Sequence, residues 1–105
     1  MARFDVYANS GRNKANAPFL VDVQSNYLEG LSTRVVVPLL RLAAFPPAKL
    51  PADLLPVFQV QGIECMFYPA FIGAVSMSEL GGSVGSLRDE RDKIIAALDR
   101  LTGGF

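Results

Sequence analysis

What most restricts the folds open to this chain is a series of short segments in which apolar and polar side chains alternate, broken by proline, glycine or polar loops. A period of two is the pattern of a strand with one buried face, so the chain predicts a sheet and not a helical bundle. Residues 4–7 alternate over a short span, 19–24 over a longer one, and 34–37 form a β-branched run closed by Pro38. Residues 57–61 and 63–68 flank Gly62 and predict an antiparallel hairpin, and a sixth short strand is expected at 74–77. The first two strands are joined by the polar residues 9–16, whose low hydrophobicity predicts a mobile loop.

The rest of the chain is punctuated differently. Pro46, Pro47, Pro51 and Pro56 make residues 45–56 an irregular connection, because proline donates no backbone hydrogen bond and disfavours helix in the residue before it. One helical turn is compatible with residues 51–55, with Pro51 at its first position. Residues 81–86, GGSVGS, are glycine-rich and precede a helix, but they lack the spacing of a nucleotide-binding loop and are expected to form a flexible linker capped by Ser86. The helix is expected to start at about Leu87, with Asp89 in its first turn and Leu87, Ile94, Ile95, Leu98 and Leu101 on one apolar stripe. Gly103 and Gly104 end it and leave Phe105 as an exposed final residue. No internal repeat or domain boundary is visible, so residues 1–105 are expected to be one domain.

Composition excludes several chemistries. Ten Lys and Arg balance ten Asp and Glu, so no net positive field favours direct binding to DNA or RNA. The cluster at residues 88–93 mixes both signs and predicts a solvated helix face. With no histidine, Ser-His-Asp and Cys-His catalysis and histidine-containing zinc sites are absent, and the single Cys65 predicts a buried structural thiol in a reducing compartment. No apolar stretch reaches the roughly 20 residues of a membrane span, so a cytoplasmic protein without membrane contact is expected. The remaining catalytic option is a carboxylate with an arginine, such as Asp22 or Glu64 with Arg34. Catalytic residues, cofactors and metals are therefore expected to be none, and the C-terminal Gly103-Gly104-Phe105 is expected to dock into a partner protein.

In order and spacing, several motifs resemble the CcdB family over nearly the whole chain: Arg3-Phe4-Asp5-Val6-Tyr7 at the first strand, Phe19-Leu20-Val21-Asp22-Val23-Gln24-Ser25 at the second, Arg34-Val35-Val36-Val37-Pro38-Leu39, Leu55-Pro56-Val57, and the Leu87-led helix ending in glycine and an apolar last residue. The resemblance implies a mostly β chain with a C-terminal α-helix, an SH3-like barrel of the toxin type with a five-stranded antiparallel sheet, a small second sheet, and assembly as a homodimer. It implies a toxin without enzyme activity, one half of a toxin–antitoxin module of the kind that maintains plasmids. Such a toxin binds the DNA gyrase A subunit and traps the cleaved-DNA complex. A CcdA-like antitoxin wraps it and, in the complex, represses the operon, so that DNA is contacted only indirectly.

Carried over by position, the gyrase-binding residues implied by the resemblance are Gly103, Gly104 and Phe105, with Ser25, Tyr27 and Asp99 beside them. Gly103 stands where the family's well-known toxins have tryptophan. Two other readings stay open: an endoribonuclease toxin of the related fold using Asp22 and Arg34, and a CcdB-like protein that binds an antitoxin but has lost gyrase poisoning.

Overall fold

In the computed structural model, which describes residues 2–28, 30–45 and 53–103, seven strands and one helix follow one another along the chain. The strands are β1 (Asp5–Asn9), β2 (Phe19–Asp22), β3 (Thr33–Arg41), β4 (Val57–Val60), β5 (Ile63–Phe67), β6 (Gly73–Ser76) and β7 (Leu80–Ser86), and α1 covers Arg91–Leu101. Hydrogen bonds join all seven strands into one sheet of order β4-β5-β3-β2-β1-β7, with β6 added to β3 off that path. The architecture is thus a curled, mostly β half-barrel with a single C-terminal helix; the described hydrogen bonds do not separate it into a five-stranded sheet and a second one.

The alternating pattern fixes which side chains face inward. Val35, Val37 and Leu39 of β3 share the main core with Val21 of β2, Val6 of β1, and Cys65 and Phe67 of β5, and α1 closes this core with Ile94 and Ala97. The hairpin is as the sequence predicts: Val60 pairs with Ile63 across Gln61 and Gly62, both at positive φ (50° and 77°), the signature of a two-residue turn that matches strand twist. The apolar stripe of α1 lies on this core, although Leu101 is exposed.

Three expectations need correction. Pro38 does not end β3, which runs on to Arg41. Its carbonyl accepts a hydrogen bond from Tyr68 N at 3.2 Å, and its missing N–H faces that same side, in the gap between the pairing with β6, which stops at Val36, and that with β5, which begins at Leu39. The glycine-rich residues are no linker but the strand β7, paired with β1. Finally, Ser86 caps no helix: its Oγ accepts from Arg88 N at 3.1 Å just before a 3-10 turn at Arg88–Glu90, and the α-helix itself starts only at Arg91. Of the proposed turn at 51–55, residues 51 and 52 lie outside the described residues.

The glycines of β7 have a steric cause. The β1–β7 ladder shifts register twice, between Val6 and Tyr7 and between Tyr7 and Asn9, and such bulges bend a strand and let the sheet curl. At the second shift a Cβ on Gly81 would lie 2.7 Å from the carbonyl oxygen of Ala8 and 3.1 Å from its Cβ. Gly81→Ala is therefore expected to destabilise the fold by about 1–3 kcal/mol, the usual range for overpacking, while Gly82→Ala, which meets nothing within 4 Å, changes far less. Urea denaturation of the two variants checks this.

Candidate functional site

The first candidate is the pair that the sequence offered for catalysis, Asp22 and Arg34. It is brought together, but inside the protein. Both side chains are fully buried on the sheet face opposite α1. Arg34 Nε donates to Asp22 Oδ2 at 2.8 Å, and Nη2 lies 2.6 Å from the same oxygen in ion-pair contact without hydrogen-bond geometry. Burial pushes the Asp22 carboxyl above its ordinary value, opposed by the hydrogen bond from Arg34 and by that from Gln24 N. A substrate cannot reach either group, so this pair is structural. Glu64, the other carboxylate proposed beside Arg34, is exposed on β5. Cys65 is buried, and burial pushes its thiol up, which suits a core residue and not a nucleophile.

A second constellation is open to solvent and was not singled out in the sequence. Ala2, Arg3, Phe4, Asp5 and Asn26 meet Ser86, Arg88 and Arg91 around a groove of about 420 Å³ between the first strand and the start of the helix. Each arginine is brought there by a local cause. Phe4 sits at φ 75°, a strained value for an aromatic residue, and is held by Phe4 N donating to Asp22 O (2.6 Å) and Leu87 N donating to Phe4 O (2.9 Å). These two bonds tie the chain start to β2 and to the approach to α1. Arg3 is fixed in turn: its N donates to Asn26 Oδ1 at 2.8 Å, its Nε to Val23 O at 3.2 Å, and its guanidinium lies 4.8 Å from the Phe4 ring centroid. Arg91 Nη1 donates to Arg88 O at 3.0 Å.

Asp5 faces the groove with one carboxylate oxygen accepting from Ala2 N at 3.1 Å. Tyr7 lies two residues on, on the same face; burial first, then the charges of Asp5 and Asp22, raise its phenol, which stays protonated and can donate to Asp5. None of Arg3, Arg88 and Arg91 is ion paired with a described carboxylate, whereas Lys93 and Arg100 are paired with Glu90 and Asp53. The net charge of zero thus conceals a local concentration of guanidinium groups. The signal was present in Arg88 and Arg91, three apart, but Arg3 is distant in sequence and only the fold adds it. Among the described residues no group of three or more carboxylate or thiol side chains converges as a metal site, and no helix is long and apolar enough to cross a membrane.

The residues expected to bind gyrase are scattered. Ser25 is half-buried and Tyr27 fully exposed, both on the turn after β2, where Tyr27 N donates to Ser25 Oγ at 3.2 Å. Asp99 is exposed near the end of α1, and Gly103 follows the helix at φ 78°, as a terminating glycine does. Gly104 and Phe105 lie outside the described residues. Among the described residues, no hydrogen bond or ion pair links the helix end to Ser25 or Tyr27.

The structure is thus a curled antiparallel sheet closed by one C-terminal helix, with an arginine-lined groove at the helix start. The chain belongs to the family of the CcdB protein, whose model matches residues 3–104. No curated protein matches it in sequence. Among the solved structures that match is an endoribonuclease in complex with its cognate antitoxin from a mycobacterial species, at 19% identity, a TM-score of 0.72, and coverage of 98% of this chain and 95% of that one.

That likeness corrects the expectations that went beyond the family to a gyrase poison. A fold that serves an endoribonuclease over nearly its full length gives no ground for reading the shape as a gyrase wedge or topoisomerase poison, or for reading the absence of histidine as absence of catalysis. The gyrase A subunit is withdrawn as partner. Ser25, Tyr27, Asp99 and Gly103 remain as surface positions without an assigned one.

The buried pair gives a test of its own. Asp22→Ala leaves a guanidinium without its counter-charge and is expected to cost about 3–5 kcal/mol, whereas replacing both partners by apolar residues, Asp22→Leu with Arg34→Met, costs much less. Denaturant titration of the single and double variants measures the difference.

Proposed function

We propose that the chain is the toxin of a toxin–antitoxin pair and acts as an endoribonuclease, with the groove of Arg3, Arg88, Arg91 and Asp5 as its RNA site. The groove is the observation that carries this reading. Three guanidinium groups suit the non-bridging oxygens of a phosphodiester, and a carboxylate stands among them to take a proton. The likeness in fold to an antitoxin-bound endoribonuclease supports the same reading. In it, residues 1–105 form one cytoplasmic domain of SH3-like barrel type, a cognate antitoxin is the protein partner, and no cofactor is needed. A homodimer is supported by exposed Phe71 and Ile72 close to an apolar surface that includes Leu20, Pro38 and Ala74.

The chemistry follows from the groups present. Asp5 accepts the proton of a ribose 2′-hydroxyl, whose oxygen attacks the adjacent phosphorus. The bond from phosphorus to the 5′-oxygen breaks, that oxygen takes a proton from solvent, and the products are a 2′,3′-cyclic phosphate and a 5′-hydroxyl. The arginines stabilise the negative charge that builds on the phosphoryl oxygens in between. Arg3, already fixed by its bonds to Asn26 and Val23, requires little reorganisation for this.

Incubated with single-stranded RNA, the purified protein is expected to release fragments with 5′-hydroxyl ends. Asp5→Asn is expected to lower the rate by about 10²–10⁴-fold. With three arginine contacts the logarithm of the binding constant should fall against the logarithm of salt with a slope of about −2, a small value that fits a chain of zero net charge. RNA that stays intact under conditions where the protein is folded overturns the proposal.

A further inference from the structure

The turn that follows β2 presents three large apolar side chains to solvent: Tyr27 at 100% exposure, Leu28 at 50% and Leu31 at 49%. Single exposed apolar residues are ordinary, but a cluster this dense on one turn is not explained by the core. The turn is also well fixed. Ser25 Oγ accepts from Tyr27 N at 3.2 Å, Ser25 O accepts from Leu28 N at 3.0 Å, and Leu31 N donates to Leu28 O at 3.2 Å. The buried Gln24 holds it from beneath, its Nε2 donating to Leu28 O at 2.8 Å. An aromatic ring carried on a bonded turn loses little backbone entropy when something packs on it.

Its position gives it a partner. Tyr27 directly follows Asn26, whose side chain lines the arginine groove and accepts from Arg3 N. The turn that carries the ring therefore borders the groove of Arg3, Arg88 and Arg91. Guanidinium groups along a backbone track with an aromatic face beside them are the combination that binds single-stranded nucleic acid, the charges holding phosphates and the ring a base. We propose that Tyr27 is a stacking platform for an unpaired nucleobase of the RNA held in the groove. The inference rests on the nuclease reading above and deepens it: a base inside a helix is already stacked on both faces, so the platform makes the site selective for unpaired RNA.

The test uses a 2′-O-methyl RNA 12-mer, whose blocked 2′-oxygen prevents cleavage, the same oligonucleotide with abasic sites, and its duplex, with binding followed by fluorescence anisotropy. The expected result is that Tyr27→Ala weakens binding of the intact single strand by tenfold or more, Tyr27→Phe binds within twofold of the wild type, and the wild type prefers single strand to duplex. Removing the bases should weaken the wild type but leave Tyr27→Ala unchanged, and the salt slope should stay the same in all three proteins, which separates stacking from a general loss of structure. If Tyr27→Ala binds as the wild type does, or if abasic sites affect both equally while the wild type still cleaves RNA, the platform is overturned and the nuclease reading stands. If the wild type neither binds nor cleaves RNA, both fall.

Discussion

The ion pair between Asp22 and Arg34 is the interaction on which the arrangement of this molecule depends. Two charges removed from water are tolerated only with close partners, and the bonds around the Asp22 side of the pair also position the surface. Asp22 Oδ1 accepts from Gln24 N at 2.9 Å; Gln24 in turn accepts from Val35 N through Oε1 and donates to Leu28 O through Nε2. The main chain of Asp22 accepts from Phe4 N, which sets the strained residue beside Arg3. One buried residue thus anchors both sides, its carboxylate the turn that carries Tyr27 and its main-chain carbonyl the segment that carries Arg3. Both halves of the proposed site are built from the same buried network.

That arrangement explains how a neutral chain can present a charged site. Asp22 and Arg34 neutralise each other inside, while Glu90 and Asp53 answer Lys93 and Arg100 on the surface. Of the guanidinium groups without a described ion pair, those of Arg3, Arg88 and Arg91 are gathered at the start of α1. Net charge measures long-range steering, so a value of zero argues against strong non-specific attraction to nucleic acid; it does not argue against three arginines placed within one groove. Net charge is a property of the whole chain and does not describe the charge of a single site.

Strands with clean alternation were legible in the sequence, as were the Gln61-Gly62 hairpin and the apolar stripe of the helix, because each is fixed by local pattern. The misreadings share a cause. Gly81, Gly82 and Gly85 suggested a linker because glycine is entropically costly in a strand, but the contact between Gly81 and Ala8 needs the missing side chain. Pro38 suggested a strand end, yet the gap between β5 and β6 leaves room for a residue without an N–H. Both depend on a neighbouring strand far away in sequence. The site was less legible still: the sequence suggested the pairing of Asp22 and Arg34, with catalysis open only in the endoribonuclease alternative, but spacing reveals proximity and not that the pair is buried. Arg3, Asp5 and Asn26 meet Arg88 and Arg91 only across the β1–β7 edge and the turn after β2.

The face opposite α1 also bears on how a histidine-free site can move a proton. Arg34, Asp22, Tyr7 and Asp5 share this face of β3, β2 and β1, and the charges of Asp5, Asp22 and Arg34 all act on the Tyr7 phenol. Burial and the two carboxylates raise that phenol, and a phenol kept protonated is a hydrogen-bond donor of fixed direction. Donating to the Asp5 carboxylate, it can hold that group in one orientation. Asp5 itself is partly exposed, where a phosphate can approach it. The division between a dry structural pair and a carboxylate open to solvent follows from burial, and it leaves the proposed base among the residues that line the arginine groove.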